Sequence, residues 1–459
     1  MRCTVSTYEE LRDLDLAYCF HPSTLLADHQ RNGPTIFTEG QGVYVRDIRG
    51  KQYLDCRAGL YNCNVGYADP EVAQAAYEQM RKVQFVTSFT SFASEPMIRL
   101  SAKVASLLPE GLSRVLLLNS GSEVNEAAIK LARYLNRLEG RPQKVKVVGR
   151  KLSYHGATYG IVALTDLERA QDAASPLPGG FLRIEAPYCY HCPYGKSYPT
   201  CGVECAWALE RLILQEGADT VAAFLGEPVM QIAGAVVPPR EYWPIIRQIC
   251  DKYGVWLIAD EVITGLGRTG KMFALEHWGV WPEVLNLSKA LGCGYFPMGA
   301  TVVREEIYQR LLRAAPNPSL WHGFTMSGNP VGCAVALKSI EIVEKRGLVE
   351  NARLMGERLL SGLERFRELP IVGDVRGLGL FCALEAVRDK ATKEPLPESI
   401  QKAGGLVKLA MDRGLLVRSS PTRNDLAVIT PPLIVTAAEV DKALDILGDC
   451  LQELQRQIA

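Results

Sequence analysis

The chain has 459 residues, 47% of them hydrophobic, and its 51 Lys plus Arg are balanced by 51 Asp plus Glu. Such a length and apolar content support a large core and more than one domain. A net charge of zero leaves no basic excess for nucleic acid or an anionic membrane, so neither is expected as a partner, and small-molecule chemistry is.

At the start, residues 1–20 contain Glu9, Glu10, Asp13 and Asp15 and lack the apolar core of a signal peptide. No apolar run long enough to cross a bilayer follows, and the uncharged stretch 316–337 is broken by Asn, Ser, Pro and Gly. A cytoplasmic location is expected. Val43-Tyr44-Val45 and Gln52-Tyr53-Leu54 flank Asp47-Ile48-Arg49-Gly50 as hairpin strands would. Strands are predicted near 115–118, 145–149, 221–226, 255–259 and 284–288, with helical segments such as 240–253 between them, and one more strand at 299–303. This alternation is the pattern of an α/β fold with a doubly wound, mostly parallel sheet. Residues 331–345 read as a long helix leading into a C-terminal α/β portion that ends in a helix from Ala437. The expected division is residues 1–60, 61–330 and 331–459, with 388–399, rich in Lys, Pro and Glu, as the clearest linker.

Thirteen cysteines scattered from Cys3 to Cys450 suggest reduced, mostly buried thiols in a chain without a secretion signal. Cys189, Cys192, Cys201 and Cys205 form a C-x2-C and a C-x3-C pair, a spacing that can hold zinc or iron–sulfur. The prolines and tyrosines among them suit a packed loop instead, so a disulfide or free thiols are expected there and no metal.

Chemistry concentrates at strand ends. Leu257-Ile258-Ala259-Asp260 and Asn286-Leu287-Ser288-Lys289 are short apolar runs that stop at an ionisable side chain, and ligands bind at such ends in α/β sheets. A carboxylate and a lysine there suit pyridoxal 5′-phosphate: the acid keeps the ring nitrogen protonated and the lysine carries the aldehyde as a Schiff base. After the predicted strand ending at Leu118, the turn Asn119-Ser120-Gly121-Ser122-Glu123 precedes the helical periodicity of 124–138. A small turn opening a helix offers amides and a positive dipole end to a phosphate, with the hydroxyls of Ser120 and Ser122 as further donors or as plain helix caps.

Six motifs occur in order: Ser120-Gly121-Ser122-Glu123, Ser153-Tyr154-His155-Gly156, Glu227-Pro228-Val229, Asp260-Glu261-Val262 with Thr264-Gly265-Leu266-Gly267-Arg268-Thr269-Gly270, Ser288-Lys289-Ala290-Leu291, and His322-Gly323-Phe324-Thr325. With them the chain resembles class III aminotransferases, fold type I pyridoxal-phosphate enzymes, and among these the ω-amino acid or amine:pyruvate transaminases. The resemblance implies a large sheet domain that binds the cofactor and a smaller α/β domain built from both chain ends. It implies that Lys289 binds the cofactor and acts as general base, that Asp260 pairs with the ring nitrogen, and that Val262 and Tyr154 cover the ring faces with His155 alongside. Glu227 is placed near the phenolic oxygen, and Thr325 at the phosphate of the neighbouring subunit, which makes a homodimer, or a tetramer of two such dimers, the expected assembly.

The substrates implied are an amine donor and pyruvate, with alanine as product. Ala157 stands where the ornithine, acetylornithine and 4-aminobutyrate branches carry an arginine clamp. Arg418 matches the mobile arginine of amine:pyruvate transaminases, and Tyr61, Phe20, Ala233 and a neighbouring subunit's Phe89 are expected to line the pocket. Alternatives on the same fold are an amino-acid racemase or a dialkylglycine-type decarboxylase, and, more distantly, an inactive structural homologue.

Overall fold

In the computed structural model, residues 7–314, 318–420 and 425–458 are described; the first six residues and positions 316 and 317 of the uncharged stretch lie outside them. Seven strands form one sheet in the order Leu112–Leu118, Gly299–Arg304, Val284–Leu287, Trp256–Asp260, Val221–Gly226, Lys146–Arg150, Phe181–Ile184. Only Gly299–Arg304 runs against its neighbours; the other pairings are parallel. Parallel strands are covered on both faces, and alternate residues here enter two separate apolar clusters. Phe224, Leu257 and Ala259 pack with Leu209, Ile246 and Ile340 from helices on one side. Ala223, Leu225, Trp256 and Ile258 pack with Ala128, Leu131 and Leu135 on the other.

The chain ends share structure. Phe37–Gln41, Tyr44–Asp47 and Gln52–Asp55 form an antiparallel meander whose last strand pairs in parallel with Leu415–Leu416. A third sheet joins Val372–Gly377, Cys382–Asp389, Glu394–Pro395 and Leu426–Ile429. It packs with the helices Leu348–Glu364 and Ala437–Ile458.

Two expectations need correction. Residues 388–399 are no linker: Val387 pairs with Pro395 and Asp389 with Glu394, and Asp389 Oδ1 accepts the Thr392 amide at 2.7 Å. Charge and proline there mark a tight hairpin at a sheet edge, where both are tolerated. The helix expected from Val124 begins at Gly121, because Ser120 caps it and residues 121–123 take its first turn.

The loop after the central strand is locked to both chain ends by Arg268. Its buried guanidinium donates to Asn64 Oδ1 at 2.7 Å and to the carbonyls of Leu380 and Pro431 at 3.2 and 2.5 Å.

Candidate active site

The carboxyl ends of the parallel strands bring Asp260, Glu227 and Lys289 to one cavity of about 120 Å³, lined also by Gly121, Ser122, Tyr154, His155 and Val262. Asp260 closes the strand Trp256–Asp260 and is buried. Its Oδ2 accepts from Asn125 Nδ2 at 2.8 Å and lies 2.7 Å from His155 Nδ1, while Oδ1 takes the Val262 amide at 3.2 Å. Asn125 in turn donates to the His155 carbonyl and accepts from Asn286 Nδ2, both at 2.8 Å. A carboxylate held from two sides has one orientation, and a buried network of this kind is stable only when its members are paired.

Lys289 stands three residues beyond Asn286, the register partner of Asp260. Its φ of 36° lies in the left-handed region, an uncommon setting for a residue with a side chain and one often found at functional sites. Burial pushes its ammonium below the usual lysine range; Asp260 and Glu227 oppose the shift, and Arg418 adds to it. A lysine that gives up its proton more easily is more often the neutral amine, the form that acts as nucleophile and general base.

The opposite end of the cavity is the start of the helix Gly121–Leu138, whose first-turn amides have no partner within the helix. Ser120 serves as its cap, accepting the Glu123 amide at 3.3 Å, and is not part of the cavity wall. Ser122 Oγ accepts the Ala157 amide at 3.1 Å. Position 121 must lack a side chain, since a Cβ would stand 2.9 Å from Val262 Cγ1. Val262 thereby lies directly against the helix opening.

Glu227 follows the strand Val221–Gly226 and accepts the amides of Tyr154 at 3.1 Å and Gln231 at 3.0 Å. Burial raises its carboxyl above the ordinary range, with Asp260 adding and His155 and Arg150 opposing. Tyr154 is half-buried on the cavity wall.

The remaining expected residues fall into two groups. Arg418, half-buried, pairs through its backbone with Val428, and its guanidinium lies 5.4 Å from the centre of the Tyr61 ring. Tyr61 is buried, accepts from Gln231 Nε2 at 3.1 Å and packs on Phe381. Ala233 is buried beside Met230 and Tyr188, and its carbonyl accepts from Arg376 at 2.7 Å. None of these three lines the cavity itself, although Arg418 is near enough to act electrostatically on Lys289. By contrast Thr325, Phe89 and Phe20 are exposed and lie off the cavity of their own chain. Phe89 packs on Gly323 of the His322-Gly323-Phe324-Thr325 loop, where an added Cβ would meet its ring at 2.7 Å.

Sequence reasoning missed Asn125 and Ile263 on the cavity wall, and gave Gly156, Val229 and Thr264 no role beyond motif membership. For Asn125 a signal existed: it interrupts the apolar face formed by Val124, Ala128 and Ala132. Glu261, adjacent to Asp260, points away from the cavity and binds Thr264 Oγ1 and the amides of Ala274 and Leu275 at 2.5 to 3.0 Å.

A mixed α/β sheet with a lysine, a pinned carboxylate and an anion-binding helix start at its carboxyl edge defines an enzyme that works on small molecules through a bound cofactor. The class-III aminotransferase family matches residues 25–451, and the chain belongs to that family. Over 446 residues, 95% of both chains, it is 37% identical to a diaminobutyrate–2-oxoglutarate transaminase of Halomonas elongata. It is 37% identical to a putrescine–pyruvate aminotransferase of Pseudomonas aeruginosa over 94% of this chain and 93% of that one. The crystal structure of an (S)-enantioselective ω-transaminase from Thermomicrobium roseum superposes with a TM-score of 0.93 at 41% identity, covering 98% and 99% of the two chains. The fold is therefore that of the fold type I transaminases, and the cofactor is pyridoxal 5′-phosphate.

The residues present fit that group. The helix start offers amides to a phosphate, and the glycine at 121 lets Val262 pack closely against that start. His155 lines the cavity with its Nε2 buried and unpaired among the described residues.

Proposed function

We propose that this aminotransferase moves an amino group from an amine or an ω- or β-amino acid to pyruvate, releasing alanine, in two half-reactions at one site. Bound pyridoxal phosphate supplies an electron sink for the carbanion left when the substrate carbon gives up its proton. Asp260, oriented by Asn125 and beside His155, keeps the ring nitrogen protonated. Lys289 would hold the cofactor and, as a neutral amine, would serve as the base that moves the substrate's proton. The amides of Gly121 and Ser122 would hold the phosphate, Val262 and Tyr154 would flank the ring, and Glu227, fixed by the Tyr154 and Gln231 amides, would stand near the phenolic oxygen.

Arg418 carries the choice of substrate. Its guanidinium stands over Tyr61, acts electrostatically on Lys289 and forms no ion pair among the described residues, so a substrate carboxylate can recruit it. Ala157 supplies no fixed clamp for a second carboxylate. The pairing suits a short oxo acid alternating with an amine that carries no carboxylate, the kind of pair named for the putrescine–pyruvate relative.

We infer a homodimer, a reading supported by residues that their own chain's cavity does not use. Thr325 and Phe89, exposed and joined through Gly323, would complete the phosphate and substrate pockets of the partner subunit. We take 61–330 as the cofactor-binding domain, with 1–60 and 331–459 forming the smaller one. No helix among the described residues is long and apolar enough to cross a membrane, which accords with the proposed cytoplasmic location.

The test is Arg418→Ala. It should cost about 2–4 kcal/mol in kcat/KM for pyruvate and alanine while sparing 1-phenylethylamine. Equal losses for both substrates would make the arginine structural and refute the substrate assignment.

A further inference from the structure

We propose that Asp15, Cys19 and His21 form a zinc site at the N-terminal pair of helices, with His29 holding the carboxylate from outside. A ligand atom of each of the three lies within 4.8 Å of the other two. Tetrahedral zinc, with bonds of roughly 2.0–2.3 Å, sets its ligands about 3.3–3.7 Å apart, so closure needs side-chain shifts of about 1 Å and no change of backbone.

Local structure aims the three side chains together. The Cys19 amide donates to the Asp15 carbonyl at 2.8 Å, so these residues, four apart, stand over the last turn of the helix Tyr8–Tyr18. The chain then leaves the helix extended, with Cys19 at φ −92° and ψ 133°, and alternate residues of an extended chain face one side. His21 thereby returns to the side of Cys19, and its Nε2 lies 2.7 Å from Asp15 Oδ2. The second helix, Leu26–Asn32, supplies His29, whose Nε2 lies 2.8 Å from Asp15 Oδ1.

The two oxygens of Asp15 divide the work. Oδ2, which faces His21, goes to the ion, while Oδ1 keeps His29 as the kind of outer partner that orients a metal-bound carboxylate. Binding replaces the His21–Asp15 contact with one bond from each to zinc, His21 ligating through Nε2 with its proton on Nδ1. Cys19 gives its proton to solvent, and water takes the fourth position. Thiolate and carboxylate together neutralise the ion. A sulfur, an imidazole and one carboxylate suit zinc, whereas calcium and magnesium take oxygens. Cys189, Cys192, Cys201 and Cys205 offer no such convergence: all are free thiols, and no three of their sulfurs lie within 4.8 Å of one another.

The position gives the ion a task. Neither helix buries a residue, and helices of 11 and 7 residues are marginal without packing. Zinc would lock the Asp15 carboxylate that joins the two helices and fix the backbone on both sides of the exposed Phe20, which stands between two of the ligands.

The experiment uses the untagged, full-length holoenzyme, dialysed against micromolar zinc and then analysed for metal. Wild type should hold one more zinc per chain than C19S or H21Q, and H29Q should bind that ion about 10–100-fold more weakly. Zinc should also protect Cys19 from alkylation, read by peptide mapping, in wild type and not in H21Q. The retained yellow cofactor band certifies the fold of each variant. Wild type that holds no zinc would overturn the proposal, as would C19S and H21Q proteins that keep the full wild-type complement, the mark of adventitious binding elsewhere. So would a Cys19 that is alkylated equally fast with and without zinc.

Discussion

The carboxylate of Asp260 lies 2.7 Å from His155 Nδ1, and the same oxygen accepts Asn125 Nδ2 at 2.8 Å. The acid at the strand end is thus oriented by a loop and a helix together. Asp260→Asn keeps the shape but removes the charge that holds a ring nitrogen protonated. We expect that variant to retain cofactor yet lose roughly 100-fold or more in turnover. Asn125→Ala removes only the orienting contact and should cost about 10-fold, in the manner of outer ligand-orienting partners. Single-turnover rates distinguish the two; a wild-type rate for Asp260→Asn would remove the carboxylate from the chemistry.

The 2.9 Å separation that a Cβ at position 121 would have from Val262 Cγ1 predicts that Gly121→Ala weakens cofactor binding by about 1–2 kcal/mol. Adding Val262→Ala makes room and should restore part of that loss. Cofactor titration of the apoenzymes measures both, and an unchanged affinity for Gly121→Ala would mean that Val262 can shift without disturbing the bound cofactor.

Thr325→Ala should weaken cofactor retention although the side chain is exposed and off its own chain's cavity. Hybrid dimers pairing Thr325→Ala with Lys289→Ala subunits should differ in activity from the mean of the parents. If the threonine serves its own subunit, the hybrids will match that mean.

Burial raises the Glu261 carboxyl to about 7, despite opposing hydrogen bonds from Thr264, Leu275 and Ala274. A folded pKa above the unfolded value means that the native state binds the extra proton, so this group's stabilisation is complete below pH 4.5 and is lost as pH rises toward 7. Urea unfolding across that window should show wild type losing stability relative to Glu261→Gln. Parallel curves for the two proteins would contradict the raised pKa.

The strand ends were legible because an apolar run that stops at Asp260, or near Lys289, announces both the sheet and its reactive edge. Asn125 was not, because one amide on an otherwise apolar helix face looks like an ordinary polar substitution until the fold sets it against Asp260. The strand Phe181–Ile184 escaped because it is a short edge strand with a charged Arg183, and the C-terminal strands because non-local pairing defines them more than local pattern does. Position 121 illustrates the same limit: a glycine in a turn reads as flexibility, whereas the fold uses it for close approach.

The most direct test of the account is borohydride reduction of the purified yellow protein followed by peptide mapping. The cofactor's mass should appear on Lys289 and on no other lysine, and Lys289→Ala should carry no such adduct and show no transamination. An adduct on a different lysine, or wild-type transamination by Lys289→Ala, would contradict the assignment of this site.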